Sequence, residues 1–247
     1  MTERFEPPRS RRVAAGVLAS LLALSAAGPA AAAVPHAAAG EPSPPVALEA
    51  PPPTGWIALT FDDGPVEGTY RILDILDAHG IKATFFVSAW RLPANAAIAR
   101  EIVLRGHSLQ SHGFLHGRWP SKSSAAVRRD IERANRLIYE AAGVVPTCVR
   151  PPFGATSART TAVAEAVGMR VVIWDENSAD YAHQSSAALL RLAPGWEPDS
   201  VVLAHDTNHY IWTPVLDQII DLLQARGLEF VTPCGYRLDP PRRQDPF

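Results

Sequence analysis

Three scarcities narrow the reading before any motif is considered. Basic charge has no surplus: 23 Lys and Arg stand against 25 Asp and Glu, a net of −2, without the positive excess that nucleic-acid or anionic-membrane binding draws on. No nucleic-acid partner is expected, and a neutral or uncharged polar one fits better. Cysteine is almost missing, with Cys148 and Cys234 the only two, so no dense disulfide framework carries the fold. In an exported protein a lone pair is nevertheless more often joined than left as two thiols. No glycine-rich phosphate loop follows any strand-like run, which counts against a dinucleotide-binding sheet. What is plentiful is apolar material: 47% of 247 residues is hydrophobic, enough for one sizeable core.

At the N-terminus, Arg9, Arg11 and Arg12 precede the apolar run Val13–Gly28 and the small-residue tract Ala30–Ala33. That order reads as a signal peptide over residues 1–33, cleaved near Ala33, with a secreted or periplasmic destination. The competing reading is an uncleaved anchor, because Val13–Val34 approaches the roughly 20 residues of a bilayer span. Weakly apolar alanine and the small-residue tract favour cleavage, which leaves no stable membrane span. Ser10-Arg11-Arg12 keeps twin-arginine export open beside the general route. Residues 34–54 form a Pro/Ala-rich linker. Residues 55–238 form the expected single domain, and 239–247 a polar, proline-containing tail. No feature fixes an oligomeric state.

Within the domain, short β-rich runs alternate with longer helical patterns. Trp56–Phe61, Ala83–Val87, Gly106–Ser111, Thr147–Arg150, Arg170–Trp174, Val201–Ala204 and Glu229–Thr232 are predicted strands. Thr69–His79, Asn95–Arg105, Ser124–Ala142, Ser157–Val167, Ser185–Leu192 and Trp212–Arg226 are predicted helices, most of them closed by a glycine. The alternation makes this an α/β chain with parallel strands. About seven strand-helix repeats favour a barrel-like arrangement over a doubly wound sheet, which stays open. In either case, chemistry belongs at the C-terminal strand ends.

The polar residues pass that test. Asp62 and Asp63 follow the first strand directly, and adjacent carboxylates are costly unless something positive separates their roles, as a cation bound to one of them does. The plainer reading is a solvated acidic turn. His112 and His116 are four apart, the spacing of one helical turn, where both imidazoles reach one metal. With Asp63 they make a His-His-carboxylate set suited to zinc with open positions. His107, inside an apolar strand, reads as structural. Arg150 opens the stiff segment Arg150-Pro151-Pro152-Phe153-Gly154, either as a surface charge or as an arginine that fixes a carboxylate. Asp180 and His205 also fall near ends of strand-like segments, where an isolated histidine is more often structural. Trp119, Trp196, Tyr210 and Trp212 suit either sugar stacking or the core.

In chain order, Thr60-Phe61-Asp62-Asp63-Gly64-Pro65, His112-x-x-x-His116, Arg150-Pro151-Pro152-Phe153-Gly154, Asp180-Tyr181 and Leu203-Ala204-His205 resemble the five motifs of the polysaccharide deacetylase, or NodB-homology, family of carbohydrate esterases. The resemblance implies a distorted (β/α) barrel and removal of acetyl groups from an acetylated glycan, commonly N-acetylglucosamine units of chitin or peptidoglycan. It assigns Asp62 as general base, Asp63, His112 and His116 as ligands of one divalent metal, and His205 as general acid. Arg150 would orient Asp62 and Asp180 would tune His205. Phe153 would give an oxyanion-hole N–H, Leu203 a wall of the acetyl pocket, and Tyr181 part of the groove. Zinc is the expected ion, with cobalt or nickel compatible with the same ligands. Four positions depart from the family pattern. Gly113 occupies a position usually Ser or Thr, and Asn177 and Tyr181 replace an Asp and a Trp of the fourth motif. Trp119 stands where Leu is frequent. An O-acetyl esterase on xylan or another wall glycan is the nearest rival function. A noncatalytic sugar-binding protein is the rival from another class, though it needs neither Asp62 nor His205.

Overall fold

The structure, a computed structural model, describes residues 53–182 and 185–237. The expected signal peptide, nearly all of the linker and the tail lie outside the described residues. Among the described residues no helix is long and apolar enough to cross a membrane. The stretch Val13–Val34 behind the anchor reading lies outside them.

The chain runs β1 (Gly55–Asp62), α1 (Thr69–Ala78), β2 (Thr84–Val87), α2 (Leu92–Leu104), β3 (Ser108–Ser111) and α3 (Ser124–Ala142). It continues through β4 (Val145–Pro146), β5 (Cys148–Val149), α4 (Ala158–Ala166), β6 (Arg170–Val171), β7 (Glu176–Asn177) and α5 (Ser186–Leu192). β8 (Ser200–His205), α6 (His209–Trp212), α7 (Leu216–Ala225), β9 (Leu228–Phe230) and β10 (Tyr236–Arg237) complete it. One sheet holds eight strands in the order β6-β5-β3-β2-β1-β8-β7, with β9 also paired to the start of β1. Every pairing in it is parallel. Curled and lined with helices, it is a distorted (β/α) half-barrel, the barrel-like alternative of the two.

A central parallel strand is covered on both faces, so β1 is buried from Ile57 to Asp62 without alternation. Helices supply the cover through one apolar stripe each. On α1 this is Ile72, Leu73 and Leu76, and on α3 it is Val127, Ile131, Ala134 and Ile138. Ser123 accepts from the Ala126 N–H at the start of α3, and Ser157 and Thr160 form a reciprocal cap on α4.

The register decides where the functional residues meet. Asp62 lies opposite His205 on one side and Phe86 on the other, Val87 opposite Ser111, and Ser111 opposite Val149. Asp63, His112 and Arg150 each come one residue after a member of this row, so all emerge from one edge of the sheet.

Several boundaries differ from expectation for local reasons. The predicted helix Trp212–Arg226 is broken into α6 and α7, where Pro214 has no N–H to continue the ladder. α2 begins at Leu92 instead of Asn95, which itself departs from helical angles and donates its side-chain amide to Arg91 O. The predicted strand Arg170–Trp174 pairs only through Arg170 and Val171. His107 is buried and accepts from the Ala83 N–H, and burial pushes its pKa down to about 4, a structural role as read. Trp119, Trp196 and Trp212 are core residues, while Tyr210 is exposed.

Cys148 and Cys234 are bonded, with Cα atoms 6.1 Å apart, within ordinary bridging range. The bond ties β5 to the segment after β9, where Ser108 Oγ donates to Cys234 O and Arg170 donates to Pro233 O. Because it spans 86 residues, the loop-closure argument assigns it about 4–5 kcal/mol. The double substitution Cys148→Ser/Cys234→Ser should therefore lower the melting temperature by roughly 10 °C in a calorimetric scan; an unchanged temperature would remove the bond from the stability of the fold.

Candidate active site

Asp63 and its neighbours begin the site. Asp63 sits in left-handed backbone (φ 76°), a conformation that Asp tolerates better than most residues. The chain then turns over Asp206: a Cβ on Gly64 would fall 1.9 Å from Asp206 Oδ2, so only glycine fits. Asp206 is fully buried, accepts from Thr69 Oγ1 at 2.6 Å, and burial pushes its pKa up to about 7.

Asp62 points into the protein. Its Oδ1 accepts from Arg150 Nη1 at 2.7 Å, and the same nitrogen donates to Thr60 Oγ1 at 2.7 Å. Arg150 is 0% exposed, donates further to Val172 O and Ile173 O, and lies over the Phe86 ring. The surface-charge reading of Arg150 is thereby set aside.

His112 and His116 do converge, but not on a helix. β3 ends at Ser111, Gly113 reverses the chain at φ 79°, and His116 returns from a loop. The spacing of four is therefore that of a strand end and a tight loop, a correction to the helical-turn reading. His112 Nε2 is 3.5 Å and His116 Nε2 3.4 Å from Asp63 Oδ1. The ligand atoms of the three residues lie within 4.8 Å of one another. His112 Nδ1 meets Arg150 O at 2.8 Å; a carbonyl only accepts, so Nδ1 carries the proton and Nε2 presents its lone pair to the cluster. Burial lowers the His112 pKa against the pull of Asp62 and Asp63, which favours the neutral, ligating ring. Two imidazole nitrogens and a carboxylate, one ring already fixed in the ligating tautomer, fit a divalent cation.

A second buried pair faces the first. His205 Nδ1 donates to Asp180 Oδ1 at 2.7 Å, while Asp180 Oδ2 accepts from the His205 N–H and from Trp212 Nε1, each at 2.8 Å. Burial works against a charged imidazole, but the hydrogen bond and charge of Asp180, joined by Asp62 and Asp63, push the His205 pKa up to about 9.

Asp62, Asp63, His112, His116 and His205 line one groove of about 550 Å³ with Arg118, Phe153, Trp174, Tyr181, Leu203, Thr207 and Asn208, a size suited to a small ligand or sugar unit. Phe153 packs on the His116 ring at 4.2 Å between centroids, and Tyr181 stands edge-on to His205 at 5.7 Å. All ten residues to which the resemblance assigns a role line this groove or directly brace it. Trp174, which ends a predicted strand, is a lining residue that the sequence reading did not single out; Trp212, read as either sugar-stacking or core, is a core residue whose indole N–H reaches Asp180.

A sequence profile described as polysaccharide deacetylase matches residues 49–172, half of the chain. The chain belongs to the polysaccharide deacetylase family. It is 32% identical over 178 residues to the peptidoglycan-N-acetylglucosamine deacetylase PgdA of Listeria monocytogenes, covering 71% of this chain and 37% of that protein. It is 30% identical over 188 residues to the bifunctional xylanase/xylan deacetylase of Cellvibrio japonicus, covering 76% and 28%. The matched region is thus well under half the length of these two relatives. Among solved structures, the family 4 carbohydrate esterase of Streptomyces lividans in complex with acetate superimposes with a TM-score of 0.67 at 29% identity, covering 76% of this chain and 95% of that one. The half-barrel of this family member is therefore the family's own fold, and named deacetylases stand among its relatives.

The Asp180–His205 pair yields a direct test. A folded-state pKa near 9 against an ordinary 6.5 makes the pair's contribution to stability complete below pH 6.5 and lost as pH rises through about 9. NMR titration of the His205 ring should find its midpoint near 9, and Asp180→Asn should move it down toward the ordinary imidazole range; coincident titrations in the two proteins would refute the assignment.

Proposed function

We propose that this chain removes N-acetyl groups from amino-sugar units of a glycan, of the chitin or peptidoglycan N-acetylglucosamine type, using one divalent cation held by Asp63, His112 and His116. The observation that carries this reading is the pairing in one groove of two opposed proton-transfer groups beside that ligand set: Asp62 braced by Arg150, and His205 braced by Asp180. Zinc is the proposed ion, and cobalt or nickel suit the same ligands.

When bound, the cation supplies Lewis acidity, lowering the pKa of water and polarising the acetyl carbonyl. Asp62, with Oδ1 engaged by Arg150, takes the proton of the attacking water through Oδ2. The Phe153 backbone N–H donates to the carbonyl oxygen as negative charge develops there, and Leu203 walls the acetyl methyl. His205, its Nδ1 committed to Asp180, gives the Nε2 proton to the amide nitrogen as the carbon–nitrogen bond breaks. Acetate and the free amino sugar are the products. A charged imidazole suits an amine leaving group, which departs poorly unless protonated. Tyr181 and Phe153, both more than half exposed, offer aromatic faces to a sugar ring. A cell-wall or extracellular glycan agrees with the export signal read over residues 1–33, and so with a secreted or periplasmic location.

O-acetyl ester hydrolysis is the second reading, favoured by the xylan deacetylase among the relatives. Acetate release from chitin oligosaccharides, peptidoglycan and acetylated xylan, with added zinc and with chelator, separates these readings. Release should require zinc and fall by about 10²–10⁴-fold in Asp62→Asn, and should be greatest on an N-acetyl substrate. Preference for xylan would turn the assignment to an esterase; no release from any of the three by a zinc-loaded protein would turn it to a sugar-binding protein. His205→Ala should cost more on an amide than on an activated ester, because an alkoxide needs less help to leave. Equal losses would sink the role of His205 as acid.

A further inference from the structure

The loop from His112 to His116 lacks the hydroxyl that the family resemblance leads one to expect at position 113, yet its backbone is held closely. The Gly113 N–H donates to Ser111 Oγ at 3.2 Å, and Gly113 O and Phe114 O accept from the Ala89 and Trp90 N–H groups. The next two N–H groups are taken by one distant side chain. Phe114 N donates to Asp130 Oδ2 at 3.1 Å and Leu115 N to Asp130 Oδ1 at 3.4 Å. Asp130 projects from α3, is 8% exposed, and has Lys122 Nζ 3.6 Å from Oδ1.

Gly113 and Asp130 also exclude one another's alternatives. A Cβ on Gly113 would lie 2.7 Å from Asp130 Oδ2, and the left-handed backbone there already disfavours a side chain. The carboxylate fills the space that a residue with a hydroxyl at 113 would need. A buried carboxylate that spends each oxygen on a loop N–H is a strong and directional anchor. His116, the most exposed member of the ligand cluster, comes directly after the two residues it holds.

We propose that Asp130 is the positioning residue of the cation site: through the Phe114 and Leu115 N–H groups it sets the loop so that His116 Nε2 meets Asp63 and His112, in place of a hydroxyl at position 113. This rests on the cation reading above and deepens it. Asp130 touches neither substrate nor cation. Its effect is on the geometry and the entropy of ordering the third ligand, the kind of supporting contact whose loss typically weakens metal binding by about 10–100-fold.

The test uses the full chain and zinc or cobalt alone, with no substrate. Wild type, His116→Ala, Asp130→Ala, Asp130→Asn and Ile138→Val are compared by competition against a chromophoric chelator, by the visible spectrum of the cobalt form, and by thermal melting with chelator present. Ile138 is buried on the same helix away from the loop, so its truncation measures what loss of helix packing alone does. The expected result is a roughly 10–100-fold weaker affinity and an altered cobalt spectrum in Asp130→Ala. Asp130→Asn, which keeps one acceptor oxygen, should fall between, and Ile138→Val should lower the melting temperature with affinity and spectrum unchanged. Wild-type binding that disappears in His116→Ala but is untouched in Asp130→Ala would overturn the positioning role and leave the cation site standing. A wild type that binds neither ion would overturn both.

Discussion

The site depends on one ion pair that the fold has placed almost out of water. Arg150 leaves the end of β5 and Asp62 the end of β1, 88 positions apart in sequence, and they meet at 2.7 Å with the guanidinium wholly buried. Desolvating two such charges costs several kcal/mol, and their attraction repays it only where the remaining donors and lone pairs are also satisfied. Thr60 Oγ1, Val172 O and Ile173 O do this for the guanidinium. Thr60 in turn donates its hydroxyl hydrogen bond to Val202 O, so the pair is stitched to β1, to β8 and to the chain following β6 together. Removing either partner would strand the other charge, which is why neither can change alone.

That pair also divides labour between two neighbouring carboxylates. Asp62 is committed inward to the arginine, and the left-handed turn at Asp63 throws the next side chain outward to the histidines. Their adjacency would otherwise be repulsive; the backbone conformation gives each its own partners. Arg150 contributes a second time through its carbonyl, which fixes the tautomer of His112. Across the groove the same arrangement recurs with the signs exchanged: a buried aspartate, engaged by three donors, supports a largely buried imidazole.

Much of this was legible in the sequence, for identifiable reasons. β1 is recognisable because a strand buried on both faces must be continuously apolar, and Asp62-Asp63 at its end interrupts the run abruptly. The helices announce themselves through capping serines and terminal glycines. What escaped is short, polar or non-local. β7 pairs through Glu176 and Asn177 only, with no apolar pattern to see. The spacing of His112 and His116 is shared by a helical turn and a reversed loop, and only the left-handed angle at Gly113 separates them. Trp174 and Trp212 act by contacts made across the sheet, which spacing along the chain does not encode. Arg150 left two readings until burial was known, and its burial is a property of the whole half-barrel.

The register that aligns Asp62 with His205 and Phe86, and Ser111 with Val149, has a consequence for how such a protein diversifies. Asp62, Asp63, His112, Arg150 and His205 issue from strand ends locked in a parallel ladder, and His116 from the loop that follows one of them, while Phe153, Tyr181, Trp90 and Tyr210 are exposed on loops or short helices outside it. Substitution at the exposed positions therefore leaves the ladder and the groups at its edge in place. Of the two departures in the fourth motif, Tyr181 stands on that outer side, whereas Asn177 is exposed but paired with Leu203 in the ladder, so the rim of the groove is mechanically separable from its footing at position 181 and joined to it at 177.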